Sequence, residues 1–154
     1  MGRRGRILSA PGGATYNPFM IRMLKLPAKR QGLHEITAEV RSLVRASGLD
    51  EGLCTLFVQH TSASLLIQEN ADPAAREDLE RWFLRLVPEH DPLYTHTEEG
   101  PDDMPSHVKA ALTATSLGIP IVGADLALGT WQGIFLFEHR THARPRTLVV
   151  HFAP

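Results

Sequence analysis

The chain has 154 residues, 43% of them hydrophobic and 21% charged, with a formal charge of −1 at neutral pH. These values fit one globular domain and give no overall field that would draw in nucleic acid or an anionic membrane surface. The single cysteine, Cys54, excludes an intrachain disulfide, and no apolar run approaches the roughly 20 residues of a membrane-spanning helix.

Residues 1–18 are rich in Arg, Gly and Pro and read as a flexible lead-in, with Arg3, Arg4 and Arg6 as a solvated basic tail. Ile7-Leu8 runs at once into Ser9-Ala10-Pro11, too short for a signal-peptide core, so a cytoplasmic protein is expected. From residue 19 a single domain is expected to run to residue 154. Phe19 to Leu26 reads as a strand stopped by Pro27. Gly32 to Glu35 leads into a helix over Thr37–Ser47, where Ile36, Val40, Leu43 and Val44 repeat at helical spacing and Gly48 closes the last turn. Leu53 to Gln59 and Ser64 to Gln68 read as strands, with Cys54 a small buried hydrophobe in the first.

Asp72 and Pro73 are an N-cap and a first helical residue, and Leu79, Trp82, Phe83, Leu86 and Val87 form one apolar stripe expected to be core. Pro88 ends that helix. A third helix is expected over Pro105–Ser116, closed by a turn at Gly118-Ile119-Pro120. Strands follow at Ile119–Val122, Leu126–Leu128, Trp131–Glu138 and Thr147–Phe152. Strands mixed irregularly with about three helices indicate an α+β domain around a largely antiparallel sheet.

Two polar interruptions carry the chemistry. His60 closes an apolar strand and is followed by Thr61, Ser62 and Ser64, whose hydroxyls suit a phosphate or water, or else satisfy a turn. His96 and His107 flank Asp102 and Asp103 in a glycine-proline loop. Three imidazoles, or two with a carboxylate, plus water at an open position match a catalytic zinc or related site. Asp103 can instead cap the third helix, which would place His107 and Lys109 on its first turns. Asn70 stands just before the second helix. Glu138 ends the most hydrophobic strand and needs either a partner, Arg140 or Arg146, or a direct role as ligand or base. His139 and His142 fit surface or satisfied core positions. No G-x-S-x-G elbow, phosphate-binding glycine loop or CxxC pair is present.

Three blocks occur in order: Val58-Gln59-His60-Thr61-Ser62-Ala63-Ser64 on to Pro73, Tyr94 to Lys109, and Leu128-Gly129-Thr130-Trp131-Gln132-Gly133 on to Glu138. Together they closely resemble the YjbQ-like (UPF0047) family, described as a secondary thiamine-phosphate synthase, from about Phe19 to Phe152. The resemblance implies a compact, largely antiparallel β-sandwich that assembles as a homotrimer with sites near subunit boundaries. It also implies a histidine-lined pocket for a divalent metal, either zinc or, with a diphosphate substrate, magnesium. His60, His96 and His107 are then the metal ligands, with Asp103 and Glu138 in reserve. The catalytic set is His60, Asn70, Asp103, His107 and Glu138, and the substrate-binding set is Thr61, Ser62, Ser64, Lys109, Arg140 and Arg146. The implied reaction joins an aminopyrimidine diphosphate to a thiazole phosphate and releases pyrophosphate. A metal-dependent hydrolase and a non-catalytic binder of a phosphorylated metabolite are the alternatives. Where many relatives continue Asp-Gly-Pro-Arg after the glutamate, this chain has His139 to Arg146.

Overall fold

A computed structural model describes residues 20–154; the lead-in expected over 1–18, and Phe19, lie outside the described residues. Strands hold more of the described residues than helices do, and several show period-two burial. The elements in order are β1 (Met20–Leu26), β2 (Gly32–Glu35), α1 (Thr37–Ser47), β3 (Glu51–Val58), β4 (Ala63–Glu69), α2 (Pro73–Leu86), α3 (Asp103–Leu112), β5 (Ser116–Val122), β6 (Asp125–Leu126), β7 (Gln132–Glu138) and β8 (Arg146–Ala153). They form an α+β architecture of two antiparallel sheets, one ordered β1-β8-β3-β5-β6 and the other β2-β7-β4.

The main core lies between the sheets. Cys54, Leu56 and Val58 of β3, Leu148, Val150 and Phe152 of β8, and Ile119 and Ile121 of β5 face Leu65 of β4 and Ile134 and Leu136 of β7. Helix α1 adds Val40 and Val44. Burial pushes the Cys54 thiol up to about 12, so it stays protonated in the core. Strand β7 is buried on both faces: Phe135 and Phe137 turn the other way and join Leu33 under α2. Period two also fixes the two polar residues at the end of the sandwich. Glu138 follows Ile134 and Leu136 on the inner face of β7, and Arg146 precedes Leu148 and Val150 on the inner face of β8.

Four expectations need correction. Gly32–Glu35 is a strand, because it pairs with β7, a partner about a hundred residues downstream that local patterning does not reveal. The third helix runs two residues earlier than expected and stops at Leu112, where Thr113 turns extended. The expected turn at Gly118-Ile119-Pro120 lies inside β5, paired with β3. Pro120 is tolerated there because its polar side faces the edge: its carbonyl accepts from Ala127 N at 2.9 Å, so the missing N–H is lost toward the short β6 side. The α2 stripe is only partly core. Leu79 and Phe83 pack on Leu33, Phe135 and Phe137, whereas Trp82 is 46% and Leu86 49% exposed. A three-stranded sheet is roughly 10 Å wide, too narrow to cover the whole stripe.

Candidate metal centre

The loop that follows β7 is stapled to the start of α3, and this staple positions the site. Ser106 Oγ lies 2.6 Å from the Asp102 carbonyl and 2.9 Å from the His139 carbonyl. Asp102 Oδ2 accepts from Thr141 N at 2.8 Å, Thr141 Oγ1 at 2.9 Å and Arg140 Nε at 3.1 Å. Burial alone would raise the Asp102 carboxyl, but these donors overrule it and hold it below the usual carboxylate value. Arg140 Nη1 donates to Asp103 Oδ1, and Nη2 donates to the Glu99 carbonyl at 2.7 Å.

Asp103, 2% exposed, is thereby held by one oxygen only. Its Oδ2 is buried without a hydrogen-bond partner. It lies 2.9 Å from His96 Nε2 and 3.4 Å from His107 Nε2. Asp103 and His107 share a face of α3 because they stand four residues apart, one helical turn. The loop before α3 brings in His96, whose ring centroid is 5.6 Å from that of His107. The three offer ligand atoms that all lie within 4.8 Å of one another.

The state of His107 follows from its other nitrogen. Nδ1 sits 3.1 Å from the Thr61 carbonyl, which only accepts, so Nδ1 carries the proton. In the neutral ring Nε2 is then a bare lone pair facing a bare carboxylate oxygen. A cation between them relieves that repulsion, and a backbone carbonyl behind the imidazole is the usual orienter of a metal-ligating histidine. Two imidazoles and one carboxylate fit zinc or a neighbouring transition metal better than magnesium, which prefers oxygen.

His60 does not join the group. Its Nδ1 accepts from Ser62 N at 3.0 Å, which leaves the proton on Nε2 in the neutral ring. Burial, and next the nearby Arg146 charge, hold its basicity below the ordinary histidine value. His60 instead lines an open depression with Phe57, Gln59, Thr61 and Thr115. Asp103, expected as a reserve ligand, takes its place beside His96 and His107.

The remaining expected residues divide. Thr61 is exposed and touches the site through its carbonyl, while Ser62 and Ser64 are buried. Ser64 Oγ pairs with His139 Nε2 at 2.9 Å inside the fold, away from any surface phosphate. Glu138, 0% exposed, meets Arg146 Nε at 2.6 Å and Nη2 at 2.8 Å and accepts from Arg140 N at 3.0 Å. This bidentate pair ties the sheets together and occupies both residues. Arg140 is likewise engaged by acids. Lys109 points off the other side of α3, toward Phe83 and Phe137. Asn70 lies beyond the far end of β4, where its Nδ2 donates to Glu35 Oε1 at 3.0 Å. Six strand residues, roughly 20 Å, separate that end from Glu138.

Sequence reasoning named Asp102 but not its role as the loop clamp, and His139, read as a surface or satisfied core residue, is buried in the core. Alternation along β7 was the available signal for His139, since it continues a strand with both faces covered. A cleft of about 290 Å³ adjoins the metal group, lined by His90, Tyr94, His96, Thr97, Pro101 and Met104. No helix among the described residues is long and apolar enough to cross a membrane.

Comparison with known proteins matches this framework. The family model for UPF0047 YjbQ-like proteins covers residues 22–154. UPF0047 protein sll1880 of Synechocystis is 50% identical over 129 residues, 84% of this chain and 88% of that protein. UPF0047 protein YjbQ of Escherichia coli O157:H7 is 46% identical over 127 residues, 82% and 91% of the two chains. The crystal structure of an uncharacterised conserved protein of the same family from Clostridium acetobutylicum superposes with a TM-score of 0.77 at 32% identity, covering 85% of this chain and 98% of that one. The conserved hypothetical protein TT1486 of Thermus thermophilus gives a TM-score of 0.73 at 34% identity, over 83% and 97%. With matches of this extent in sequence and in fold, the chain belongs to the UPF0047 YjbQ-like family.

Proposed function

We propose that the protein is a metal-dependent enzyme acting on a small phosphorylated metabolite, with the ion held by His96, Asp103 and His107. One observation carries this reading: Asp103 Oδ2 is buried, has no hydrogen-bond partner, and faces the Nε2 atoms of two histidines at 2.9 and 3.4 Å. When bound, the ion supplies Lewis acidity to a phosphoryl or diphosphate oxygen. Arg140 fixes Asp103 through its other oxygen, and the Thr61 carbonyl fixes the orientation and tautomer of His107. His60, on the neighbouring loop, is the candidate to exchange a proton with substrate.

The transferase reaction, aminopyrimidine diphosphate plus thiazole phosphate giving thiamine phosphate and pyrophosphate, is the first case to assay within this reading. The homotrimer belongs to the same reading. Its support is the outer face of the five-stranded sheet, where Ile21, Met23, Leu53, Phe57 and Val122 are exposed.

The test is metal content and turnover on the same preparations. Near-stoichiometric transition metal in the wild type is expected, with pyrophosphate or phosphate release that disappears in His107→Ala. Metal-free wild type after supplementation, or undiminished release by His107→Ala, would overturn the reading. Light scattering checks the trimer.

A further inference from the structure

The face of α3 opposite His107 borders a separate cleft of about 190 Å³, walled by the start of β2, α2 and the end of β7. That volume equals roughly six water molecules, enough for a small metabolite. One wall is aromatic: Phe83 and Phe137 meet edge to face with centroids 5.1 Å apart, and Leu84 extends it at the rim. Arg30 stands at the opening, and Glu80 opposite is already tied to Leu33 N at 2.7 Å.

Two groups at this cleft lack a direct hydrogen-bond partner. Lys109 lines the cleft and is 3% exposed; among the described residues its ammonium makes no direct hydrogen bond or ion pair, and the carboxylates of Glu89 and Asp102 act on it only at longer range. Burial disfavours its charged form, which those two carboxylates only partly restore and a directly bonded anion would restore further. The second is His139 Nδ1, buried with no partner. A chain of hydroxyls sets its state. Thr113 Oγ1 lies 2.7 Å from the Lys109 carbonyl, which cannot donate, so the Thr113 proton goes there. Ser64 then donates across its 2.6 Å contact with Thr113 and accepts from His139 Nε2. Nδ1 is left as a lone pair. The cleft thus holds a cation with no direct hydrogen-bond partner and an unfilled acceptor beside an aromatic wall.

We propose that this cleft binds a small planar organic carboxylate, its charge on Lys109 and its ring against Phe83 and Phe137. A donor on the ligand, or a water held beneath it, completes His139 Nδ1. The site is independent of the metal group, which lies on the other face of α3.

Benzoate is the probe, with benzamide as its uncharged match, read by amide chemical shifts in the full chain. Saturable shifts confined to α2, α3 and the end of β7 are expected with benzoate and absent with benzamide. Affinity falls at least tenfold in Lys109→Met. Leu84→Glu, which places a carboxylate on the half-exposed rim without touching the core, gives a similar loss should Lys109→Met fail to fold. Chelator leaves benzoate binding unchanged. No saturable shift in the wild type, or equal affinity in a folded Leu84→Glu, overturns the proposal. So does displacement of benzoate by inorganic phosphate at equal concentration, or loss of binding on chelation.

Discussion

Two buried carboxylates stand close together in this fold and are treated in opposite ways. Glu138 has both oxygens paired with Arg146 and a third donor in Arg140 N. Asp103 has one oxygen on Arg140 and the other bare against His96 and His107. A buried charge with all its lone pairs met is part of the architecture. One whose second oxygen meets only two imidazoles costs stability unless a proton or a cation binds there. The difference separates a tie between sheets from a place for a ligand.

The largest effect expected from breaking this contrast is on the tie. Arg146→Met strands Glu138 in the core, and urea unfolding should show a loss of about 3–5 kcal/mol. A loss under about 1 kcal/mol would mean the pair is far less buried than its geometry indicates. The open carboxylate should respond to metal instead. Zinc at about 100 times its dissociation constant is expected to stabilise the wild type by about 2.7 kcal/mol and to leave His107→Ala unchanged. Equal stabilisation of both proteins would move the ion elsewhere.

A smaller effect sharpens the comparison through pH. Burial first, then the Lys109 and Arg146 charges, lower His139 from 6.5 to about 3. The folded chain therefore binds this proton less well than the unfolded chain. Stability from His139 is fully present above the unfolded value of 6.5 and is lost as pH falls toward about 3. The slope within that window is at most about 1.4 kcal/mol per pH unit, and His139→Gln should flatten it in equilibrium unfolding. A wild-type slope that persists in the variant would assign the titration to another group. The smallest effect is at His60. His60→Ala should change stability by about 0.5 kcal/mol or less and retain full metal content. Loss of the metal in that variant would restore His60 to the ligand set in place of Asp103.

Much of the scaffold was legible because its cues are local. Asp72 caps α2 through a 2.8 Å bond from Ala74 N, with Pro73 following, and Gly48 closes α1 in a left-handed turn, both where the sequence places them. The polar blocks around His60 and between His96 and His107 were equally visible, since such residues interrupt apolar runs. Strand β2 was not, because its register comes from β7. Nor was the length of α3, because Ser116–Val122 is held in β5 by its pairing with β3.

At the site the same boundary applies. The sequence by itself determined the side-chain types at the site, the turn spacing of Asp103 and His107, and the need of Glu138 for a partner such as Arg140 or Arg146 or a direct role. Tertiary structure alone decided that His96 folds onto α3, that His60 gives its Nδ1 to Ser62 N, and that Lys109 faces a different cleft. Ligand choice depends on which lone pairs stay unpaired, and that depends on backbone carbonyls and amides brought in from distant segments, such as Thr61 beneath His107.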